Sequence, residues 1–357
     1  MAVLLSTSER YLEHDCGRGH PERPARIDAV LRGAADAGLE DSLVRIAPRP
    51  ATREELELLH SPAYLDALER FCAGGGGHLD PDTAAVPESW GAAVLGAGAG
   101  PDAVERLDRG EADPAILALR PPGHHATPTR AMGFCLLNNV AVTAAGLAAR
   151  GERVLILDWD AHHGNGTQDA FYEDPRVLYV SFHEFPLYPF TGRLHETGAG
   201  AGAGTTVNVP LPAGATGDVL LKAMDELVAP AAAAFAPTWL LLSAGFDGHR
   251  ADPLTGIDLS SGDFADLTSR ALLLAPAGHR IAFLEGGYDL DALRASTAAC
   301  VAGLAGVDLR PEAPSSGGPG RHVVDAALRL RHVSAEEEGC STTSSGTSST
   351  DGDPTST

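Results

Sequence analysis

The chain has 357 residues, of which 44% are hydrophobic, so it is long and apolar enough to bury a large core. Its formal net charge is −22 and its only lysine is Lys222. Because phosphate recognition needs lysine and arginine, nucleic acid is not an expected partner. The five cysteines form no Cys-x-x-Cys pair, and we find no secretory signal and no membrane-spanning run. These features predict a cytoplasmic protein with no membrane partner.

Short apolar runs alternate with longer alanine- and leucine-rich stretches along the chain. The runs lie at 116–119, 154–157, 177–180, 239–242 and 281–284. Stretches of helical length lie at about 138–150, 218–235, 262–277 and 289–305. This alternation predicts an α/β fold with a mostly parallel central sheet and helices on both faces.

Polar and ionisable residues follow each apolar run at the point where the predicted strand ends. Asp158, Asp160 and His162 follow the second run, and alternation along a strand would direct their side chains the same way. Ligands of open parallel sheets lie outside the carboxyl ends of the strands. Asp160 and His162 offer an oxygen and a nitrogen ligand, a combination suited to zinc. The sequence therefore predicts a metal site at this edge of the sheet.

Six ordered motifs then identify a resemblance that extends from about residue 10 to about residue 305. They are His20-Pro-Glu-Arg-Pro-Ala-Arg26, Arg120-Pro-Pro-Gly-His-His-Ala126, Gly133-Phe-Cys-Leu-Leu-Asn-Asn139, Asp158-Trp-Asp-Ala-His-His-Gly-Asn-Gly-Thr-Gln168, Ser243-Ala-Gly-Phe-Asp247 and Glu285-Gly-Gly-Tyr288. The chain resembles the zinc-dependent histone deacetylase superfamily, which includes acetylpolyamine amidohydrolases and acetoin-utilisation proteins. Within it, the chain is similar to the class II branch with bacterial deacetylase-like amidohydrolases. The resemblance implies the arginase-deacetylase fold.

The resemblance also implies roles for individual residues. The implied zinc ligands are Asp160, His162 and Asp247. The implied catalytic residues are His124 and His125, their orienting partners Asp158 and Asn165, and Tyr288. The implied substrate-binding residues are Gly133, Phe134, Tyr188, Leu254 and Gly287. An implied potassium site comprises Asp158, Asp160, His162, Ser181 and Phe182.

Together these residues imply a deacetylase that hydrolyses an acylated amine with metal-activated water. Acetyl-lysine and an acetylpolyamine both remain open as substrates, and apolar Leu254 at the rim favours acetyl-lysine. Two further hypotheses are a dimetal ureohydrolase and a catalytically silent acyl-lysine-binding protein. Each motif alone is commonly structural, and only their convergence at strand ends favours an active site.

Two positions and one loop modify this expectation. Asn165 stands where class I enzymes have aspartate, so it cannot supply a negative charge to His125. Phe190 stands where glycine is expected, and its ring could narrow the tunnel. The glycine-rich loop 74–82 resembles the family's rim loop, in which Asp80 or Asp82 would grip the substrate.

The composition changes near residue 310. Residues 1–310 are expected to form the catalytic domain, and the low-complexity tail 311–357 is expected to be disordered because it has too little apolar surface to offset ordering entropy. Within it, 323–331 could form an amphipathic helix that docks on the core or on a neighbouring subunit. A homo-oligomer is compatible with the sequence, which does not set the oligomeric state.

Overall fold

A computed structural model describes residues 2–341, the last ten of them as helical backbone only. Its main sheet has eight parallel strands in the order β2-β1-β5-β10-β9-β6-β7-β8, and β3 and β4 form a separate antiparallel hairpin. The strands are β1 Val3–Ser6, β2 Leu43–Ile46, β3 Gly77–His78, β4 Ala84–Ala85, β5 Ala115–Leu117, β6 Val154–Asp158, β7 Val177–Glu184, β8 Thr206–Leu211, β9 Trp239–Ala244 and β10 Arg280–Leu284.

Helices cover the sheet in two layers. They are α1 Ala25–Asp36, α2 Arg53–Glu57, α3 Pro62–Ala73, α4 Ser89–Asp108, α5 Asn139–Ala149, α6 Asn165–Phe171, α7 Gly217–Ala223, α8 Ala229–Phe235, α9 Ser261–Ala271, α10 Leu290–Leu304 and α11 Arg321–Ser341. A π-helical segment, Met224–Val228, joins α7 to α8, and short 3₁₀ helices lie at Glu9–Glu13, Glu40–Ser42 and Gly200–Gly202. In one layer α4 and α5 pack on the central strands, and in the other α1 and α9 both pack against α10. No helix in this described part is both long and apolar enough to cross a membrane.

The α/β architecture predicted from the alternation is confirmed, and all five predicted strands are present. The central strands are buried along their whole length, as expected for a parallel sheet covered on both faces. The helix predicted at 262–277 ends earlier, at Ala271. The stretch predicted as one helix at 218–235 contains the π-helical segment, next to Pro230, which lacks a backbone N–H.

The packed chain continues past the boundary predicted at residue 310, so the expectation of disorder is wrong for residues 312–331. Glu312 Oε2 accepts a hydrogen bond from Ser261 N at 2.8 Å, and Ser315 Oγ donates to Asp263 Oδ2 at 2.6 Å. Further on, α11 packs on β8 and buries Val324 fully. The composition argument failed because polar side chains anchor this segment to the amino-terminal end of α9. Residues 342–357 of the predicted tail lie outside the described residues.

Candidate active site

The candidate site lies where four neighbouring strands of the sheet end. In the sheet order β5-β10-β9-β6, each strand is followed by a loop that carries polar residues of the predicted site. These strands come from distant parts of the sequence, and their parallel pairing brings all four carboxyl ends to one edge. This is the position at which open α/β sheets bind ligands.

Asp160, His162 and Asp247 form a buried group that could hold a metal ion, with one ligand atom of each within 4.8 Å of the others. His162 Nδ1 lies 2.8 Å from Asp247 Oδ2 and 3.3 Å from Asp160 Oδ1. Backbone amides orient the carboxylates, since Ala161 N donates to Asp247 Oδ1 at 2.8 Å and Gly286 N to Asp160 Oδ2 at 2.7 Å. A Cβ at position 286 would clash with both carboxylates, so the site needs glycine there.

The two histidines of the predicted pair each contact a different partner. His124 Nδ1 lies 3.1 Å from Asp158 Oδ2, and His125 Nδ1 lies 2.9 Å from Asn165 Oδ1. Asp158 ends β6, and Asn165 begins α6 a short loop later. Sequence reasoning missed Tyr179, whose hydroxyl donates to Asp158 Oδ2 at 3.1 Å. Its only signal was a tyrosine within an otherwise apolar run.

Glu285 is a second residue whose role was missed. Its Oε2 accepts hydrogen bonds from Gly123 N at 2.6 Å and His124 N at 3.1 Å, which fixes the turn that carries both histidines. Burial raises the pKa of Glu285 to about 7. Glu285, the first residue of the Glu-Gly-Gly-Tyr motif, therefore holds in place the turn after β5 that carries His124 and His125.

The pKa values of the two histidines are shifted in opposite directions. Burial alone would lower the pKa of His124, but the carboxylates of Asp160 and Asp158 outweigh it and raise that pKa to about 10. For His125, burial and the positive charge of His124 hold the pKa well below its usual range. At neutral pH the pair therefore combines a protonated His124 with a neutral His125.

Tyr288 follows β10 and directly precedes α10, whose N-cap is Asp289. Asp252 holds its backbone, since Tyr288 N donates to Asp252 Oδ2 at 2.7 Å. Its ring packs edge-on against Phe134, with the Arg26 guanidinium 5.0 Å from the ring centroid. Burial raises the pKa of Tyr288 well above its usual value, so its hydroxyl remains a hydrogen-bond donor.

A cavity of about 240 Å³ opens onto these groups. It is lined by Asp82, His125, Gly133, Phe134, His162, Leu187, Tyr188, Leu254 and Tyr288. Four of the five predicted substrate-binding residues thus line one cavity. The fifth, Gly287, is not one of the lining residues, and its carbonyl accepts a 2.7 Å hydrogen bond from Arg26 Nε. Of the two rim aspartates considered, Asp82 lines the cavity, whereas Asp80 Oδ1 accepts hydrogen bonds from the amides of Asp82 and Thr83.

Phe190 lies outside the residues that line this cavity. Its φ of +65° is in the left-handed region, which explains why glycine is expected at this position. The side chain is 66% exposed, and its amide donates to the carbonyl of Leu187 in a turn. The ring therefore extends into solvent beside the cavity and does not form its wall.

Two of the predicted potassium residues, Asp160 and His162, belong to the metal-ligand group, and the other three lie on β6 and β7. Asp158 on β6 is the register partner of Ser181 on β7, and both are fully buried. Ser181 Oγ lies 2.9 Å from His183 Nδ1. Phe182 follows on β7.

The fold and the arrangement of the site together define an α/β protein of the arginase-deacetylase type. Residues 20–304 match the model of the histone deacetylase domain, and the chain belongs to that family. A probable deacetylase of Archaeoglobus fulgidus is 39% identical over 316 residues, which cover 87% of this chain and 88% of the relative. A probable deacetylase of Methanothermobacter thermautotrophicus is 38% identical, covering 89% and 95%. The crystal structure of the HDA15 HD domain superposes with a TM-score of 0.86 at 34% identity, covering 96% of this chain and 98% of that one.

Proposed function

We propose that the protein is a zinc-dependent deacetylase that hydrolyses the amide of an acylated amine such as acetyl-lysine. The observation that carries the proposal is a three-residue metal-ligand group that reaches, through His162, the cavity lined by His125 and Tyr288. Membership of the histone deacetylase family and the descriptions of the archaeal relatives as probable deacetylases support the reaction type.

The chemistry of Asp160, His162 and Asp247 fits zinc. Two carboxylate oxygens and one imidazole nitrogen are ligands that zinc accepts, and three protein ligands leave room for water and substrate. The amide donors to Asp160 and Asp247 supply the outer contacts that orient such ligands. Zinc bound there supplies Lewis-acid activation of a water molecule and of the substrate carbonyl.

His125 is the group that moves the proton in this proposal. The amide oxygen of Asn165 accepts from Nδ1, which leaves Nε2 with a free lone pair. Nε2 takes a proton from water as the water oxygen adds to the carbonyl carbon. When the C–N bond breaks, Nε2 returns that proton to the leaving nitrogen, so the products are a carboxylic acid and a neutral amine.

Tyr288 and His124 stabilise the charge that develops during this step. The Tyr288 hydroxyl donates a hydrogen bond to the substrate oxygen as negative charge accumulates on it. His124 stays protonated because of Asp158 and Asp160, and its charge keeps His125 neutral before the reaction.

A potassium ion at Asp158, Asp160, His162, Ser181 and Phe182 belongs to the same proposal. The register pairing and complete burial of Asp158 and Ser181 support it, because two buried oxygen-bearing side chains lie side by side at the strand ends. Such an ion would hold β6 and β7 at the point where the chain turns into the metal-ligand group.

The lining of the cavity supports a substrate with an aliphatic chain next to the amide. Phe134 and Tyr188 present aromatic surface, and Leu254 adds an apolar contact. None of these three carries a carboxylate that could form an ion pair with an internal ammonium group, which favours acetyl-lysine over an acetylpolyamine. Asp82 is the one carboxylate among the residues that line this cavity beyond the metal-ligand group.

Turnover of zinc-loaded protein on matched panels of acetyl-lysine peptides and acetylpolyamines tests the proposal. We expect preference for the peptides and loss of turnover in Tyr288→Phe. Preference for the polyamines would establish a small-molecule deacetylase and contradict the argument from Leu254. No turnover on either panel, with zinc bound, would favour a silent acyl-lysine-binding protein.

A further inference from the structure

A second group of potential metal ligands lies outside the candidate active site. His14 follows the 3₁₀ helix Glu9–Glu13, and Cys16 and Glu22 lie in the loop that precedes α1. His14 Nε2 is 3.3 Å from Cys16 Sγ and 3.4 Å from Glu22 Oε2, and Cys16 Sγ is 3.9 Å from Glu22 Oε2. His14 and Glu22 are fully buried and Cys16 is half-buried, so the group is reachable from one side.

These separations are those of ligands around one tetrahedral ion. With zinc–ligand bonds of about 2.0–2.3 Å, neighbouring ligand atoms lie about 3.3–3.8 Å apart. We propose that His14 Nε2, Cys16 Sγ and Glu22 Oε2 bind a second zinc ion. A thiolate and an imidazole favour zinc over magnesium or calcium, which prefer oxygen ligands.

The surroundings of the group orient two of the three ligands. His14 Nδ1 lies 2.7 Å from Ser89 Oγ at the start of α4, and this contact fixes the ring with Nε2 facing the other ligands. Glu22 is held by Arg120, whose Nη2 donates to Oε2 at 2.7 Å, and by Arg26, whose Nη1 donates to Oε1 at 3.2 Å. Oε2 retains one lone pair for an ion.

The same two arginines set the expected strength of the site. Their two positive charges balance those of the Cys16 thiolate and the Glu22 carboxylate, so the group has no net negative charge to attract a cation. The site should therefore bind zinc more weakly than the Asp160, His162 and Asp247 group, where carboxylates predominate. A chelator should remove this second ion first.

The position of the group indicates a structural role at the rim of the cavity. Cys16 Sγ lies 3.8 Å from the carbonyl oxygen of Ala84 on β4, which could serve as a fourth ligand. In the same loop, His20 Nε2 lies 3.1 Å from the carbonyl oxygen of Asp82. An ion here would tie the loop before α1 to the hairpin that carries the rim residue Asp82.

Cobalt substitution tests the proposal without any measurement of activity. A cobalt ion bound by a thiolate gives a charge-transfer band in the near ultraviolet, and Asp160, His162 and Asp247 contain no sulfur. We expect the band in full-length protein loaded with Co²⁺ alone, its loss in Cys16→Ser, and its retention in Cys135→Ser, which removes a buried thiol near the cavity. Absence of the band in the wild type, or its persistence in Cys16→Ser, would overturn the proposal.

Zinc content provides the second readout. We expect two ions per chain in the wild type and one in either Cys16→Ser or Asp247→Ala. In zinc buffer, but not with chelator, Cys16→Ser should melt at a lower temperature than the wild type. If the candidate active site binds no zinc, the wild type will hold only one zinc ion per chain. The cobalt-loaded wild type will still give the charge-transfer band in that case. An unchanged zinc content in Cys16→Ser contradicts the second site.

Discussion

Tyr288 is placed by its backbone and its ring contacts, and its hydroxyl makes no hydrogen bond with the described residues. Asp252 accepts from Tyr288 N, Asp289 caps α10 immediately afterwards, and the ring lies between Phe134 and Arg26. The phenolic oxygen can therefore be removed with little effect on the fold. This separation makes the residue suitable for testing the proposed mechanism.

The first prediction is that Tyr288→Phe lowers kcat by roughly 10²–10³-fold, the usual cost of one oxyanion donor. Zinc content should remain that of the wild type, because the hydroxyl is not a ligand. Steady-state kinetics and metal analysis check both points. Tyr188→Phe is the matched control, since it removes a hydroxyl from the same cavity and should retain turnover close to the wild type. Near-normal kcat in Tyr288→Phe would rule out its role as a donor.

Burial and His124, more than Asn165, set the pH dependence of the proposed base His125. The pKa of His125 lies well below 6.5 because of burial and the charge of His124, and the base is active above its pKa. Activity should therefore persist as the pH falls below 6.5 and be lost only when the pH passes this lowered pKa. An aspartate at position 165 would stabilise the imidazolium and raise the pKa of His125.

The second prediction follows from the direction of the pKa shift of His125. The acid limb of the kcat/KM profile should lie below pH 6.5 in the wild type and move to higher pH in Asn165→Asp. Asn165→Ala, which adds no charge, should lower turnover without such an upward shift. Profiles of all three proteins over the acid range decide this. An acid limb that stays in place in Asn165→Asp would show that His125 is not the base.

At the scale of the element, the turn at Leu187–Phe190 has a backbone that suits glycine better than phenylalanine. Phe190 adopts a φ of +65° and exposes 66% of its side chain, so the ring gains little burial in exchange for the strain. A left-handed conformation costs a residue with a Cβ about 1–2 kcal/mol. Glycine loses more conformational entropy on folding than alanine, and this loss offsets about half of that free-energy difference.

The third prediction compares two substitutions at this turn. Phe190→Gly should be more stable than Phe190→Ala by about 1 kcal/mol, because both remove the ring and only alanine keeps the strained Cβ. Denaturant unfolding of the two variants measures the difference. The comparison fails if alanine proves as stable as glycine, in which case the turn relaxes out of its left-handed conformation at no cost.

The strands that were predicted from the sequence differ from the missed strand β8 in composition and in position within the sheet. Strands β6 and β9 are buried on both faces, so they appear in the sequence as unbroken apolar runs. Strand β8 was missed because it contains Asn208 and Pro210, which an edge strand tolerates. The same contrast applies to the site. Residues of the motifs were found, whereas the partner that clamps Tyr288, Asp252, was missed because its contacts are made with backbone amides.

At the scale of the whole molecule, the site and the carboxyl-terminal segment are joined through shared loops. His249 lies two residues after Asp247, and its Nε2 contacts Glu312 Oε2 at 2.7 Å. The same glutamate accepts from Ser261 at the start of α9. The segment after residue 310 therefore stabilises the loop that carries a proposed metal ligand, and it packs with the preceding part of the chain.

The fourth prediction concerns α11, which covers edge strand β8 far along the sheet from the site. Val324→Asp should destabilise the protein on the order of 4 kcal/mol, because it buries a charge with no partner against the core. His322→Asp adds an acidic group at an exposed position of the same helix and should cost little. Denaturant unfolding measures both changes in free energy.

Turnover of the same two variants then shows whether α11 contributes to stability alone or also to activity. Because β8 is separated from the site-bearing strands β6 and β9 by β7, the fraction of Val324→Asp that remains folded should have the kcat of the wild type. Loss of stability with unchanged kcat would show that α11 completes the core as a cover for the sheet edge. Equal stability of the two variants would instead mean that α11 detaches in solution. The packed domain would then end at the 312–319 segment, which is held by hydrogen bonds and needs no apolar burial to remain in place.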